Sequence, residues 1–178
     1  RANLEKGDAI ILTEMEHHSD IVPWQMLAEE RGIELRYVPV TQQFTLDMEA
    51  FEHALDGAKL VCVVHTSNVL GVRNPLEAII SASHAVGAKV LIDAAQGVPH
   101  STVDFTSFGA DFMAFSAHKM CGPTGIGALL VQPEVCEEMQ PFMGGGDMIE
   151  TVTVEGSTYQ TNEHKFEAGT PRIAEAIG

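Results

Sequence analysis

Short, nearly unbroken apolar runs constrain this chain more than any other feature. Ala9 to Leu12, Leu60 to His65, Lys89 to Ile92 and Asp111 to Phe115 are each of strand length. A strand with one wet face alternates polar and apolar residues, whereas a continuous run is buried on both faces, as in a parallel sheet clothed by helices. The segments between the runs carry helix punctuation. Asp20 opens one with Pro23 in its first turn and Gly32 as its stop; another spans about Asp47 to Leu55, and a third runs from Pro75 to Val86 and ends at Gly87. The alternation predicts an α/β fold with a mostly parallel central sheet and helices on both faces. Ile33 to Val38 and Ile126 to Val131 are further strands, the latter reached through the Gly122-Pro-Thr-Gly125 turn, and Pro133 to Met139 is a short helix. The opening Arg1 to Asp8 reads as a helix tail closed by Gly7, an expectation that implies chain upstream. After Gly144-Gly-Gly146 the pattern becomes short, polar and β-leaning, and a new helix begins at the very end.

With 178 residues and 45% apolar content the chain is long enough for one domain with a core. Its formal net charge of −15 argues against nucleic acid or an anionic membrane as partner, because both are bound through basic patches. No run is long enough to span a bilayer and no signal peptide opens the chain, so a cytoplasmic location is expected. The three cysteines, Cys62, Cys121 and Cys136, are odd in number, widely spaced and without a C-x-x-C pair, which points to neither disulfides nor a zinc knuckle.

In an open parallel sheet, ligands bind beyond the carboxyl ends of the strands. Polar residues gather where those ends are predicted: His17 and His18 after the first run, His65 to Asn68 after Leu60 to Val64, Asp93 to Gln96, and Ser116 to Lys119. Lys119 stands out, between a histidine and a glycine-rich turn at the end of an apolar run. Desolvation disfavours an ammonium in such a place, which makes the residue a candidate amine nucleophile of the Schiff-base type. Each residue also has a plain structural reading: a surface loop lysine, a capping pair of histidines, an Asp N-cap at Asp93, a turn residue at Asn68. A metal site from His17, His18, Asp93 and His118 is disfavoured, since an adjacent His-His pair seldom ligates one metal twice and no H-x-x-x-H or H-x-E spacing occurs, so no metal is expected.

Five collinear motifs go further: Glu14-Met-Glu-His-His-Ser-Asp-Ile-Val-Pro-Trp-Gln25, Thr66-Ser-Asn-Val-Leu-Gly71, Asp93-Ala-Ala-Gln96, Ser116-Ala-His-Lys-Met-Cys-Gly-Pro-Thr-Gly-Ile-Gly127 and Phe166-Glu-Ala-Gly-Thr-Pro171. In order and spacing they resemble the SUF-type (group II) cysteine desulfurases of the class V aminotransferase-like enzymes, which depend on pyridoxal 5'-phosphate (PLP). The resemblance implies the large, cofactor domain of fold-type I. It implies Lys119 as the Schiff-base lysine and proton carrier, Asp93 against the pyridine nitrogen and His17 on the ring face. Asn68 and Gln96 would lie near the phenolic oxygen, and Ser116 and His118 at the phosphate. Thr170 would reach the phosphate of a neighbouring subunit, hence a homodimer. The implied reaction converts L-cysteine to L-alanine and passes sulfur, as a persulfide, to an acceptor protein of iron–sulfur cluster assembly; some relatives take selenocysteine.

The chain departs from that pattern in ways that bear on function. Family members are about twice as long, so residues 1 to 178 are expected to be a partial cofactor domain, without the upstream phosphate loop and the C-terminal small domain that carries the persulfide cysteine and the carboxylate-binding arginine. None of Cys62, Cys121 or Cys136 matches that nucleophile, and Ala117 and Cys121 replace a commoner glycine and tyrosine. A fragment of this kind is expected to be inactive by itself. The alternatives are another class V PLP lyase or transaminase, such as a selenocysteine lyase or a kynureninase-like hydrolase, and a non-catalytic remnant or binding module.

Overall fold

Six strands, Ala9–Thr13 (β1), Glu34–Val38 (β2), Ala58–Val64 (β3), Lys89–Asp93 (β4), Phe112–Ser116 (β5) and Gly127–Val131 (β6), form one sheet in the order β2-β1-β3-β4-β5-β6. In the computed structural model, which describes residues 4–178, β1 to β5 are mutually parallel and β6 is antiparallel to β5. The antiparallel edge strand follows from chain length: a parallel return needs a crossover of a dozen or more residues, and only residues 117 to 126, with no α-helix among them, lie between the end of β5 and β6. Gly127 lets β6 approach so closely, because a Cβ there would stand 2.6 Å from the Phe115 carbonyl oxygen.

The period of two along each strand sorts its side chains onto two faces. Ile11, Val61, Val63, Val90, Ile92 and Met113 face Phe51 of Met48–Ala54 (α2), Ile79 and Ile80 of Leu76–Ala85 (α3), and Phe105 and Phe108 of the single-turn Phe105–Phe108 (α4). Ile10, Leu12, Leu60 and Cys62 face Trp24, Leu27 and Ala28 of Val22–Arg31 (α1). Both faces are therefore covered, as the continuous apolar runs predict. α1 ends at Gly32, whose φ of 69° and N–H to the Ala28 carbonyl make a left-handed stop. Asp47 caps α2 by accepting from the Ala50 N–H at 3.0 Å.

Other expectations need correction. Residues 5 to 8 form a turn, closed by Asp8 N–H to the Glu5 carbonyl, and the rest of the expected helix tail, residues 1 to 3, lies outside the described residues. Asp20 is not the cap of α1: it is buried, and its side chain accepts from the Trp24 indole at 3.0 Å. As expected, the short helix after β6 is Pro133–Glu138 (α5), the β-leaning stretch after Gly146 is a hairpin of Ile149–Val152 (β7) and Ser157–Tyr159 (β8), and a last helix, Ile173–Ile177 (α6), closes the chain. At the amino edge of the sheet Asp111 accepts from Val90 N–H and pairs with His84 and Lys89 at 2.8 and 3.0 Å. Burial opposes its charge, yet those hydrogen bonds hold its carboxyl below the usual range.

Candidate functional site at the carboxyl edge of the sheet

The chain leaves β1 for β2 on one side and returns to β3 on the other, so the topological switch point lies between β1 and β3. The turns that follow β1, β3, β4 and β5 all emerge at the same carboxyl edge, because these strands are neighbours and parallel. Those four turns carry His17 and His18, Thr66 to Asn68, Asp93 to Gln96, and Ser116 to Lys119. Thr170 is not part of this group: it is exposed in the C-terminal segment, next to Gly169, whose N–H bonds the Gly146 carbonyl.

Local chemistry holds each turn. His17 caps a single 3-10 turn, His18–Asp20, its Nδ1 accepting from Ser19 N–H at 3.1 Å; this leaves the other ring nitrogen to carry the proton. Asn68 rides at the tip of a loop pinned by the Thr66 to Arg73 bridge, with the buried Ser67 hydroxyl accepting from the Val69 and Leu70 N–H groups. Asp93 ends β4 half-buried. Its Oδ1 takes the Ala95 N–H at 2.8 Å, so the Asx turn and an outward-looking carboxylate coexist, and among the described residues Oδ2 carries no hydrogen bond. Ser116 ends β5 and makes no capping hydrogen bond; His118 is exposed; Gln96 and Lys119 are half-buried. The Lys119 amine has no hydrogen-bond or ion-pair partner among the described residues. Cys121 closes this turn in the left-handed region at φ 68°, where side chains are disfavoured.

Beneath the turns lies a buried layer: sequence reasoning placed His65 at its strand end but overlooked the burial of the acids beside it. His65 is buried at the end of β3, hydrogen-bonded to Thr66 and edge-on to Phe108, and burial lowers its pKa so that the ring stays neutral. It sits where Gly97 makes room, since a Cβ at Gly97 would lie 2.7 Å from His65 Cγ and Nδ1. Gly97→Ala is therefore expected to cost about 1–3 kcal/mol by overpacking, read as a lowered urea midpoint, and an unchanged midpoint would show that the ring can move aside. Glu16 and Asp20 are buried on either side of the exposed His17-His18 pair, and the buried Asn74 amide donates to the Val64 carbonyl at 2.8 Å. The available signal was the Asp20-to-Trp24 spacing of four, which puts an acid under an indole N–H.

The arrangement offers a free amine, a carboxylate with an unused oxygen, an imidazole, an amide and a hydroxyl along one edge. That set can hold a polar aromatic molecule and move protons on it. Concavities also lie at the β7–β8 hairpin, beside Gln160 and Asn162, where the Lys165 amine is already taken by the Cys136 carbonyl.

Three comparisons bear on the lineage. A curated relative from Streptomyces coelicolor, named as a probable cysteine desulfurase, is 51% identical over 170 residues, covering 95% of this chain and 41% of the relative. The crystal structure of the cysteine desulfurase CsdA of Escherichia coli, in its S-sulfonic acid form, superposes with a TM-score of 0.95 at 38% identity, covering 98% of this chain and 44% of that one. A variant of C-DES with glycine covalently linked to its PLP cofactor superposes with a TM-score of 0.84 at 27% identity, covering 94% of this chain and 46% of that one. The chain thus spans about two-fifths of the length of the curated relative. The family model described as aminotransferase class-V matches residues 1–178. With that match across every motif at the carboxyl edge, the chain belongs to the class-V aminotransferase family.

Proposed function

We propose that this chain is a large part of the PLP-binding domain of a SUF-type cysteine desulfurase, which converts L-cysteine to L-alanine and passes the sulfur on as a persulfide. One observation carries the reading: the turns that bear Lys119, Asp93 and His17 emerge from neighbouring parallel strands at one sheet edge. The residues fit the cofactor in chemical kind. Among the described residues Asp93 keeps an oxygen without a hydrogen bond that can hold a protonated ring nitrogen, and Lys119 keeps an amine without a partner.

When bound, PLP supplies an electron sink for the carbon that loses a proton. Lys119 would hold the cofactor and carry that proton, Asp93 would keep the ring nitrogen charged, and His17 would lie against the ring. Asn68 and Gln96 would serve the phenolic oxygen, Ser116 and His118 the phosphate. The exposure of Thr170, apart from the edge, supports its service to a second subunit in a homodimer. Cys62 is unsuited to receive sulfur, because it is fully buried and burial holds its thiol protonated. The persulfide cysteine and the contact with a sulfur acceptor belong, on this reading, to the remaining length of the relatives. Among the described residues no helix is long and apolar enough to cross a membrane.

The test is an absorbance titration of the folded chain with PLP, followed by an assay for alanine release from L-cysteine. A visible band distinct from that of free PLP, with no alanine formed, is the expected result. A folded chain that produces no band would overturn the reading and leave a non-catalytic binding module as the better one.

A further inference from the structure

The turn between β1 and α1 folds two acids inward while its histidines stay outside. Glu16 is 6% exposed and Asp20 8%. Glu16 Oε1 accepts from the Thr13 hydroxyl at 2.5 Å and from Val64 N–H at 3.0 Å, which ties the turn to the ends of both β1 and β3. Asp20 Oδ1 accepts from the Trp24 indole. The second oxygen of each, Glu16 Oε2 and Asp20 Oδ2, is buried and among the described residues has no hydrogen-bond partner, although the two carboxyl groups interact directly with each other. Among the described residues neither acid has an ion-pair partner. The ionisable groups that face them are the Cys62 thiol on β3 and a third carboxylate, Asp93, on β4.

Two buried carboxylates with no cation cannot both be charged. A single proton between the two orphaned oxygens satisfies both at once. We propose that Glu16 and Asp20 share one proton between Oε2 and Oδ2, and that this pair is the positioning element that seats the His17 turn against β1 and β3. The link to His17 as a cofactor-facing residue rests on the function proposed above; the shared proton does not.

Burial is the main cause that raises both groups, with Asp93 adding to it and the Trp24, Thr13 and Val64 donors opposing it; Asp20 is pushed up to about 6 and Glu16 well above the usual range. The folded state thus holds a proton that the unfolded chain has released. Stability from the pair is full below the ordinary carboxylate range and is lost as pH rises through about 6 and beyond. Loss of the proton places two adjacent buried charges under the turn, and His17 loses its seat.

The test needs no cofactor. Thermal unfolding of the intact chain from about pH 5 to about pH 8 should show the melting temperature falling by roughly 5 °C or more. In Asp20→Asn the amide donates to Glu16 Oε2 without a titrating proton and still accepts from Trp24, so the fall should flatten. Asp20→Ala leaves Glu16 Oε2 without a partner and should not behave like the asparagine variant. Glu16→Gln, whose amide can donate to Asp20 Oδ2, is the second variant should Asp20→Asn fail to fold. In wild type the Trp24 indole and Val64 amide N–H resonances, which donate to the pair, should shift as it loses its proton, and the protonated-carboxyl infrared band should be present at neutral pH; the shift and the band should both be lost in the amide variants. A wild-type slope that survives in the amide variants, or no protonated-carboxyl band at neutral pH, would overturn the proposal. Neither outcome touches the PLP titration, so the two readings fail separately.

Discussion

A Lys119→Ala chain exposed to PLP and then to borohydride is expected to carry background label only, at least about tenfold below wild type. The expectation follows from where the other lysines stand. Of the five in the chain, Lys6, Lys59 and Lys89 lie before β1 or at the starts of β3 and β4, at the amino edge of the sheet. Lys6 packs its stem under Gly32 and Lys89 pairs with Asp111 at 3.0 Å. Lys165 is buried with its amine on the Cys136 carbonyl. Lys119 alone combines the carboxyl edge with an amine that has no partner among the described residues. Imine formation needs an unprotonated amine beside the bound aldehyde, and proximity supplies most of the advantage over the exposed surface lysines. Mass spectrometry of proteolytic peptides reads the outcome. Label found on Lys59 or Lys6 of the wild-type chain at a comparable level would mean that the carboxyl edge does not bind the cofactor.

How much of this could be read from the residues differs by level. The strands were legible because burial on both faces writes an unbroken apolar run, and Leu60 to Val64 is one such run. The ends of α1 and α3 were legible because Gly32 and Gly87 occur where left-handed backbone is needed. The carboxyl-edge turns followed from strand direction alone. The direction of β6 was less accessible: an apolar run has no polarity, and only the shortness of its connection separates antiparallel from parallel. The buried acids escaped because Glu16 and Asp20 flank two histidines in a stretch that reads as wet. What takes them inside is tertiary: the Val64 N–H at the end of β3 and the Trp24 indole need acceptors, and no local pattern records the first of these.

The largest single loss of stability is expected from Phe51→Ala. Phe51 is 1% exposed and belongs to the larger of the two cores, which also holds Leu46, Leu55, Val61 and Ile79. It is the one aromatic ring that α2 contributes to that face, and α2 is only Met48–Ala54, too short to persist in water without its tertiary contacts. Truncation removes the transfer energy of the ring and leaves a void that the parallel strands, fixed by their ladder, cannot close. Changes of this kind cost about 3–5 kcal/mol, against a total of about 5–15 kcal/mol for a typical domain. A urea titration should therefore show a midpoint lowered by about 1–5 M for a denaturant slope of about 1–3 kcal/mol/M. Phe51→Leu, which keeps most of the apolar volume, should recover more than half of the loss. A Phe51→Ala cost below about 1 kcal/mol would mean that α2 collapses onto the sheet, or frays from it, without disturbing the rest. The α2 side would then be a separable layer and not part of the cooperative core that holds the carboxyl edge in place.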